Sequence, residues 1–166
     1  MNLISGLILG VFGCSATTFY VSMSGSDSAS GSTQQDAWRT LARASNASYG
    51  PGDSLLLERD GMWLDDSLRI DLNEASGFVL GAYGNASRPR PMIELSRPAE
   101  ATDAGSCVVV SDPTSGTTIE NLHIAGCAFG LVLLHASTSN SSNIVVQHNF
   151  FRDIRQAFEG YTPSAG

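Results

Sequence analysis

A chain of 166 residues, 42% of them apolar, has the size of one globular domain. All nine basic residues are Arg, and the net charge of −7 offers no basic patch for nucleic acid or an anionic membrane surface. The composition therefore argues against nucleic acid as a partner, and the acidity suits an extracellular protein or a Ca²⁺ binder.

The chain begins with an apolar run over residues 3–14, which is too short to cross a bilayer, so we predict no transmembrane span. Small residues follow, and the pattern predicts a signal peptide over residues 1–16 that is cleaved after Ala16, which makes the protein secreted. No Arg or Lys precedes the apolar run. A second interpretation stays open, in which the run is a bacterial lipobox and Cys14 carries a lipid anchor.

The segment after the signal peptide is rich in turns and carries one predicted helix. Asp36 is the candidate N-cap of a helix over 36–45 that places Trp38 and Leu41 on one face. Around this helix the pattern predicts an alternating stretch at 17–22, a Ser-Gly loop at 24–32, a turn at 49–53, a strand at 54–58 and a further turn at 59–63.

Short strands fill the remainder of the chain, between clusters of Gly, Pro, Asn, Asp and Ser. No Asn-Gly or Asp-Gly dipeptide joins two strands at two-residue spacing, so the hairpin signal is missing and parallel stacking is favoured. The candidate strands are 67–72, 78–83, 92–95, 107–110, 118–124, 131–134 and 144–146.

Two similar segments, 117–131 and 144–158, carry apolar residues at the same spacing. Strand-sized units at a fixed period are typical of stacked, repeat-built folds. We therefore predict that the second segment stacks on the first, with Asn121 and Asn149 at corners where their amides bond to backbone groups. The predicted pairs are Ile119 with Val146, Ile124 with Phe151, Cys127 with Ile154 and Leu131 with Phe158.

The motifs near the N-terminus resemble those of a known family. In order they are Phe19-Tyr-Val-Ser22, Ser24-Gly-Ser-Asp-Ser28, Ala37-Trp-Arg-Thr-Leu-Ala-Arg-Ala44, Gly50-Pro-Gly-Asp-Ser-Leu-Leu-Leu57 and Asp60-Gly-Met-Trp63. This looks like the N-terminal capping segment of the secreted right-handed parallel β-helix proteins, the pectate-lyase-like superfamily. The resemblance implies an all-β, right-handed parallel β-helix of a few rungs with a short N-terminal capping helix, a cap region over 17–66 and rungs over 67–166.

The resemblance also implies a function. Proteins of this superfamily act on or bind acidic or neutral polysaccharides outside the cell, and many are lyases, hydrolases or epimerases. Lyases commonly use Ca²⁺ or a basic residue to neutralise a uronate carboxylate while a base removes the neighbouring proton. In the cap region, we expect Trp38 to plug the core and Asp27 to brace its own loop through an Asx turn.

Few residues are candidates for that chemistry. Arg152, Asp153 and Arg155 could hold a sugar carboxylate, and the alternative is a solvated corner held by salt bridges. Because the chain contains no Lys, a lyase of this kind would depend on another basic residue. The candidate catalytic residues are His148, Arg152, Asp153 and Glu159.

Ca²⁺ is the one cofactor that the sequence suggests, and its candidate ligands are Asp27, Asp65 and Asp66. Asp65 and Asp66 could bind Ca²⁺ or supply a glycosidase carboxylate pair. They are adjacent, so they would share a site only at a turn, because neighbouring residues on a strand point to opposite faces.

Two cysteines remain after cleavage of the signal peptide. Cys107 and Cys127 either form a disulfide after export or are two buried small residues on stacked strands. Asn46, Asn85 and Asn140 stand in Asn-x-Ser sequons and are candidate glycosylation sites.

Two functional hypotheses follow. The first is an extracellular polysaccharide-active protein of lyase, hydrolase or epimerase type, and the second is a non-catalytic module for glycan binding, adhesion or surface structure. The mature chain leaves room for a few rungs and ends soon after a predicted strand begins. We therefore expect an incomplete N-terminal portion that is inactive alone, with an open last rung suited to end-to-end self-association.

Overall fold

The structure, a computed structural model, describes residues 15–73, 75–96, 105–135 and 143–161, with 158–161 described by their backbone alone. In chain order the elements are β1 (Thr18–Val21), α1 (Leu41–Ser45), β2 (Ser54–Glu58), β3 (Met62–Leu64), β4 (Leu68–Asp71), β5 (Val79–Tyr83), β6 (Met92–Glu94), β7 (Ser106–Ser111), β8 (Thr118–Glu120), β9 (His123–Ala125), β10 (Phe129–Leu134), β11 (Val145–Gln147), β12 (Phe150–Arg152) and β13 (Gln156–Tyr161).

The strands form three sheets in which neighbouring strands are parallel. Sheet 1 has the order β1-β2-β5-β8-β11, sheet 2 the order β3-β6-β9-β12, and sheet 3 the order β4-β7-β10-β13. From β2 onward the chain passes through sheets 1, 2 and 3 in turn, and we call one such passage a rung. From β2 onward, each crossover between parallel neighbours therefore contains the strands of the other two sheets, whereas β1 and β2 are connected through α1.

The predicted fold class, a right-handed parallel β-helix, is corrected by this arrangement. The domain is all-β with one short helix, but the strands belong to three separate parallel sheets that are not closed. The ladders stop at the corners because residues there take positive φ values and turn the chain, among them Asp65, Asn121 and Asp153. The architecture is an open, β-helix-like stack of three parallel sheets.

The register between the last two rungs agrees with the spacing of the two similar segments. Val146 pairs with Ile119, Phe151 with Ile124, and Phe158 with Leu131, as predicted. The fourth pair, Cys127 with Ile154, lies at a corner between strands.

The core lies between the three sheets and is filled by side chains that point inward from the strands. Within each sheet, the inward side chains of successive rungs lie side by side and form rows. Complete burial of an aliphatic side chain contributes about 1.5–3 kcal/mol, so these rows supply much of the stability. The inward rows include Leu55, Leu80 and Ile119 in sheet 1, Trp63, Ile93 and Ile124 in sheet 2, and Leu68, Val108 and Leu131 in sheet 3.

Two element predictions are wrong. The strand predicted over 118–124 is divided into β8 and β9, because Asn121 has a φ of 61° and turns the chain from sheet 1 to sheet 2. The turn predicted at 59–63 ends earlier, and Met62 already belongs to β3.

The predicted corner asparagines, Asn121 and Asn149, both lie at corners, and Asn149 bonds to the backbone there. Asn149 accepts a hydrogen bond from the Leu122 N–H at 3.0 Å and donates to the Ile119 carbonyl at 2.9 Å, so its amide satisfies the corner of the preceding rung as predicted. The register aligns Asn149 with Leu122 and Asn121 with His148, so the two asparagines do not stack on each other.

The helix begins later than predicted. Thr40, not Asp36, is the N-cap, and its hydroxyl accepts a hydrogen bond from the Arg43 N–H. Trp38 precedes the helix and is 1% exposed, which confirms its predicted burial. Its ring stacks on Phe19 with centroids 5.0 Å apart, and the guanidinium of Arg43 lies 4.3 Å from the ring centroid.

Asp27 ties its loop to the helix and makes no Asx turn within the loop. Its carboxylate accepts hydrogen bonds from the N–H groups of Arg39 and Thr40 and from the Thr40 hydroxyl, at 2.8–3.0 Å. Desolvation alone would raise the pKa of this carboxyl, but the bonds from Thr40 and Arg39 hold the pKa below its usual value.

Cys107 and Cys127 are joined in a disulfide between neighbouring rungs, with Cα atoms 5.8 Å apart. Both residues are buried. Of the two interpretations left open by the sequence, the structure takes the disulfide.

Candidate functional site

The outer surface of sheet 2 carries apolar and charged side chains side by side. Trp63, Ile93 and Ile124 point into the core, so their neighbours on each strand point outward. We call the two outward rows the sheet 2 face. The first row is Met62, Met92, His123 and Phe150, and the second is Leu64, Glu94, Ala125 and Arg152.

The two edge strands of the sheet 2 face present exposed apolar groups. Met62 and Leu64 on β3 are 48% and 54% exposed, and Phe150 on β12 is 49% exposed. The Phe150 ring meets His123 edge to face, with centroids 4.8 Å apart. Exposed apolar side chains grouped on one face are a feature of binding surfaces.

A guanidinium between two carboxylates lies beside Phe150. Arg152 is 3.6 Å from the carboxylate of Glu94, which lies two rungs away across Ala125, and 3.5 Å from the carboxylate of Asp153. Partly exposed pairs of this kind add at most about 1 kcal/mol of stability. Their main effect is to hold the guanidinium in place beside Phe150.

His123 lies at the centre of this group. Burial, followed by the charges of Arg152 and Arg90, lowers the pKa of its imidazole, and Glu94 partly opposes that shift. Its Nε2 atom is buried and has no hydrogen-bond partner among the described residues. Because this atom is buried, the imidazole contributes to the face through its edge-to-face contact with Phe150.

Among the predicted catalytic residues, Arg152 and Asp153 come together on sheet 2 and its corner. His148 is exposed at the corner between β11 and β12, where its φ is 54°. Arg155 is exposed on the next corner, and its N–H donates to the Cys127 carbonyl. The backbone of Glu159 pairs with Val132, and its side chain lies outside the described part.

The predicted Ca²⁺ ligands lie apart and serve as braces. The Asp27 carboxylate is bonded to the start of the helix. Asp65 accepts a hydrogen bond from the Ser96 N–H, and Asp66 from the Ser67 N–H. In the described ranges no three His, Cys, Asp or Glu side chains gather as a metal site would need, and Ca²⁺ binding at these residues stays a prediction.

Two predicted sequons can be placed. Asn46 and Asn85 are exposed, and Asn46 donates from its amide to the Ala42 carbonyl. Asn140, the signal peptide up to residue 14 and the lipobox Cys14 lie outside the described residues. No helix in the described part is long and apolar enough to cross a membrane.

Sequence patterns missed Met62, Glu94 and Phe150. Met62 was assigned to a turn, and Glu94 stands 58 residues before Arg152, so nothing local connects them. The sequence does contain one indication of this site. Side chains alternate in direction along a strand, so inward-pointing Trp63 and Ile93 place their neighbours on the outer surface.

Comparison with known proteins shows a likeness in structure alone. No protein-family model and no curated protein sequence matches the chain. Solved structures of a GH136 lacto-N-biosidase from Eubacterium ramulus are similar: the selenomethionine derivative at a TM-score of 0.69 with 20% identity, and the native protein at 0.68 with 19% identity.

Each match covers 90% of this chain and 31% of the other, so the chain spans about a third of those proteins. At this identity the likeness shows a shared fold. Membership of the pectate-lyase-like superfamily stays a prediction.

Proposed function

We propose that this chain is part of an extracellular carbohydrate-active protein and that the sheet 2 face binds a glycan. The observation that carries the proposal is the exposed Phe150 ring beside Arg152 with its two carboxylates. The structural likeness to a glycoside hydrolase that acts on carbohydrate supports the same class.

The sheet 2 face has the two properties that glycan binding needs. A sugar ring presents an apolar C–H surface, which packs on an aromatic ring such as Phe150. Its hydroxyl groups donate to carboxylates and accept from guanidinium, as Glu94 and Arg152 would provide.

The proposed reaction classes are lyase, hydrolase and epimerase, and they apply to the whole protein. The alternative, a non-catalytic module for glycan binding, adhesion or surface structure, is favoured by one observation. Both Glu94 and Asp153 are ion-paired with Arg152, which suits holding a ligand more than transferring a proton. End-to-end self-association and Ca²⁺ binding stay predictions.

Export is supported by the Cys107–Cys127 disulfide, because disulfides persist in oxidising compartments. A free secreted form and a form anchored through Cys14 would bring the same face to extracellular glycans.

Binding of the 166-residue chain to neutral and uronic-acid polysaccharides, measured by affinity electrophoresis, tests the proposal. Phe150→Ala and Arg152→Gln should each weaken binding about tenfold or more, as loss of one stacked ring or one charge-assisted contact implies. The matched controls are Val145→Ala on sheet 1 and Arg69→Gln on sheet 3, which should bind like the wild type.

No retardation by any polysaccharide, or equal losses in the control variants, would contradict the proposal. New reducing ends or unsaturated products from the polysaccharide panel would identify the protein as an enzyme. Binding without either product would leave the non-catalytic module.

A further inference from the structure

A cavity of about 360 Å³ opens at the corner where β2 leads into β3. Three segments form it: Met23 and Ser24 from the N-terminal loop, residues 58–61 from the corner, and Gly84, Asn85 and Arg88 from the next rung. The volume lies at the lower end of the range of about 300–1,000 Å³ that is typical of small-molecule sites.

One of the carboxylates that line this corner cavity is held by a buried hydroxyl. Ser22 is 4% exposed, and its hydroxyl donates to the Glu58 carboxylate and bonds to Ser24 at 2.9 Å. Burial and the nearby charge of Glu58 raise the pKa of Tyr83 to about 12, so the phenol beside them stays protonated. Glu58 is therefore held in place without any ligand.

The opposite wall is equally fixed. Arg88 pairs with the Asp60 carboxylate, and its backbone carbonyl accepts from the Arg59 guanidinium at 3.2 Å. The loop itself is braced at Asn85, whose carbonyl accepts from the Arg88 N–H and whose side chain accepts from the Ser87 N–H.

The charges that line the cavity sum to zero, because it contains two carboxylates, Glu58 and Asp60, and two guanidinium groups, Arg59 and Arg88. A charged ligand would be attracted by the groups of opposite charge and repelled by those of like charge. An uncharged ligand avoids this repulsion, because its hydroxyl groups can donate to Glu58 and Asp60 and accept from Arg59 and Arg88. Met23, 47% exposed at the rim, offers an apolar surface to a ring.

We propose that the corner cavity binds a single uncharged sugar residue and so forms a second site, beyond the sheet 2 face. Gly61 lines the cavity and directly precedes Met62, the first residue of that face, so one glycan chain could occupy both. The inference rests on the proposed carbohydrate function and adds the class of sugar.

Saturation-transfer NMR titrations of the full chain with methyl galactoside and methyl glucoside test the site, with methyl glucuronoside as the charged comparison. The neutral glycosides should bind in the millimolar range and more tightly than the glucuronoside. Glu58→Gln and Arg88→Gln should each weaken this binding about tenfold, through loss of a charge-assisted hydrogen bond.

The matched control is Glu120→Gln on sheet 1, where the carboxylate bonds to Gln147 and does not line the cavity. It should leave binding unchanged. Arg88→Gln tests the same site without disturbing the Ser22 contact, and thermal unfolding shows that each variant is folded.

The proposal is overturned if no neutral glycoside binds, if the glucuronoside binds more tightly, or if both cavity variants bind like the wild type. Phe150→Ala separates this proposal from the previous one, because it should reduce polysaccharide binding while binding of the methyl glycosides persists. Loss of polysaccharide binding in Glu58→Gln with none in Phe150→Ala would sink the sheet 2 face and retain the cavity.

Discussion

Removal of the Cys107–Cys127 disulfide has a cost that follows from chain geometry. The two cysteines are 20 residues apart in sequence, and both are buried. In the chain-entropy account, closing a loop of that length in the unfolded state is worth about 3 kcal/mol at about 25 °C. Reduction of the wild-type protein should therefore lower the free energy of unfolding by about 3 kcal/mol.

Urea unfolding of three forms separates the cross-link from packing. The difference between oxidised and reduced wild type isolates the cross-link, because no atom other than the thiol hydrogens changes. The difference between reduced wild type and the Cys107→Ala/Cys127→Ala variant isolates the packing of the sulfur atoms, and we expect it to be smaller.

A thiol assay in denaturant gives an independent check. In the uncleaved 166-residue chain, which has three cysteines, the count should be one before reduction, from Cys14, and three after it, whereas a chain cleaved after Ala16 should give none and two. Three thiols in unreduced protein, or coincident urea midpoints for the oxidised and reduced forms, would refute the disulfide.

Three further predictions concern contacts in the core and on the sheet 2 face. Trp38→Ala should lower the free energy of unfolding by about 3–5 kcal/mol in urea titrations, because it empties a fully packed site, and a neutral result would remove Trp38 from the core. Asn149→Ala should cost about 1–3 kcal/mol, since Ile119 and Leu122 lose their partner, whereas exposed Gln147→Ala should cost far less. The pKa of His123 in the folded protein is lower than its ordinary value of 6.5. On acidification the unfolded chain therefore binds a proton at His123 before the folded protein does, so the free energy of unfolding should fall as the pH drops below 6.5. Melting temperatures should show this loss in the wild type and in His148→Gln but not in His123→Gln, and an unchanged profile in His123→Gln would contradict it.

Stacking of the rungs was predictable because it depends on spacing. Ile119 and Val146 occupy the same place in two segments of one period, and the register places them side by side. Burial of Trp38 was predictable because a large apolar residue in a polar stretch needs a core. The first inference uses the fixed repeat, and the second uses the local sequence around Trp38 and the resemblance of the cap region.

Sheet closure and the helix start were not predictable in the same way. Whether a corner ends a ladder depends on single residues such as Asn121, Asp65 and Asp153, which take positive φ without being Gly. Asp36 and Thr40 are both acceptable N-caps by type, and tertiary contacts select Thr40, because Asp27 bonds to its backbone and hydroxyl.

The sheet 2 face is the candidate site because it combines exposed apolar side chains with an ion-paired centre. On sheet 3 the outward Val109 and Val132 are buried. On sheet 1 the outward Glu120 is already bonded to Gln147. Sheet 2 joins exposed apolar edges to an ion-paired centre, and the corner cavity adjoins its first strand at Gly61. Under the proposed function, a glycan bound along this surface would contact several rungs at once, so strands of three residues would together form an extended site.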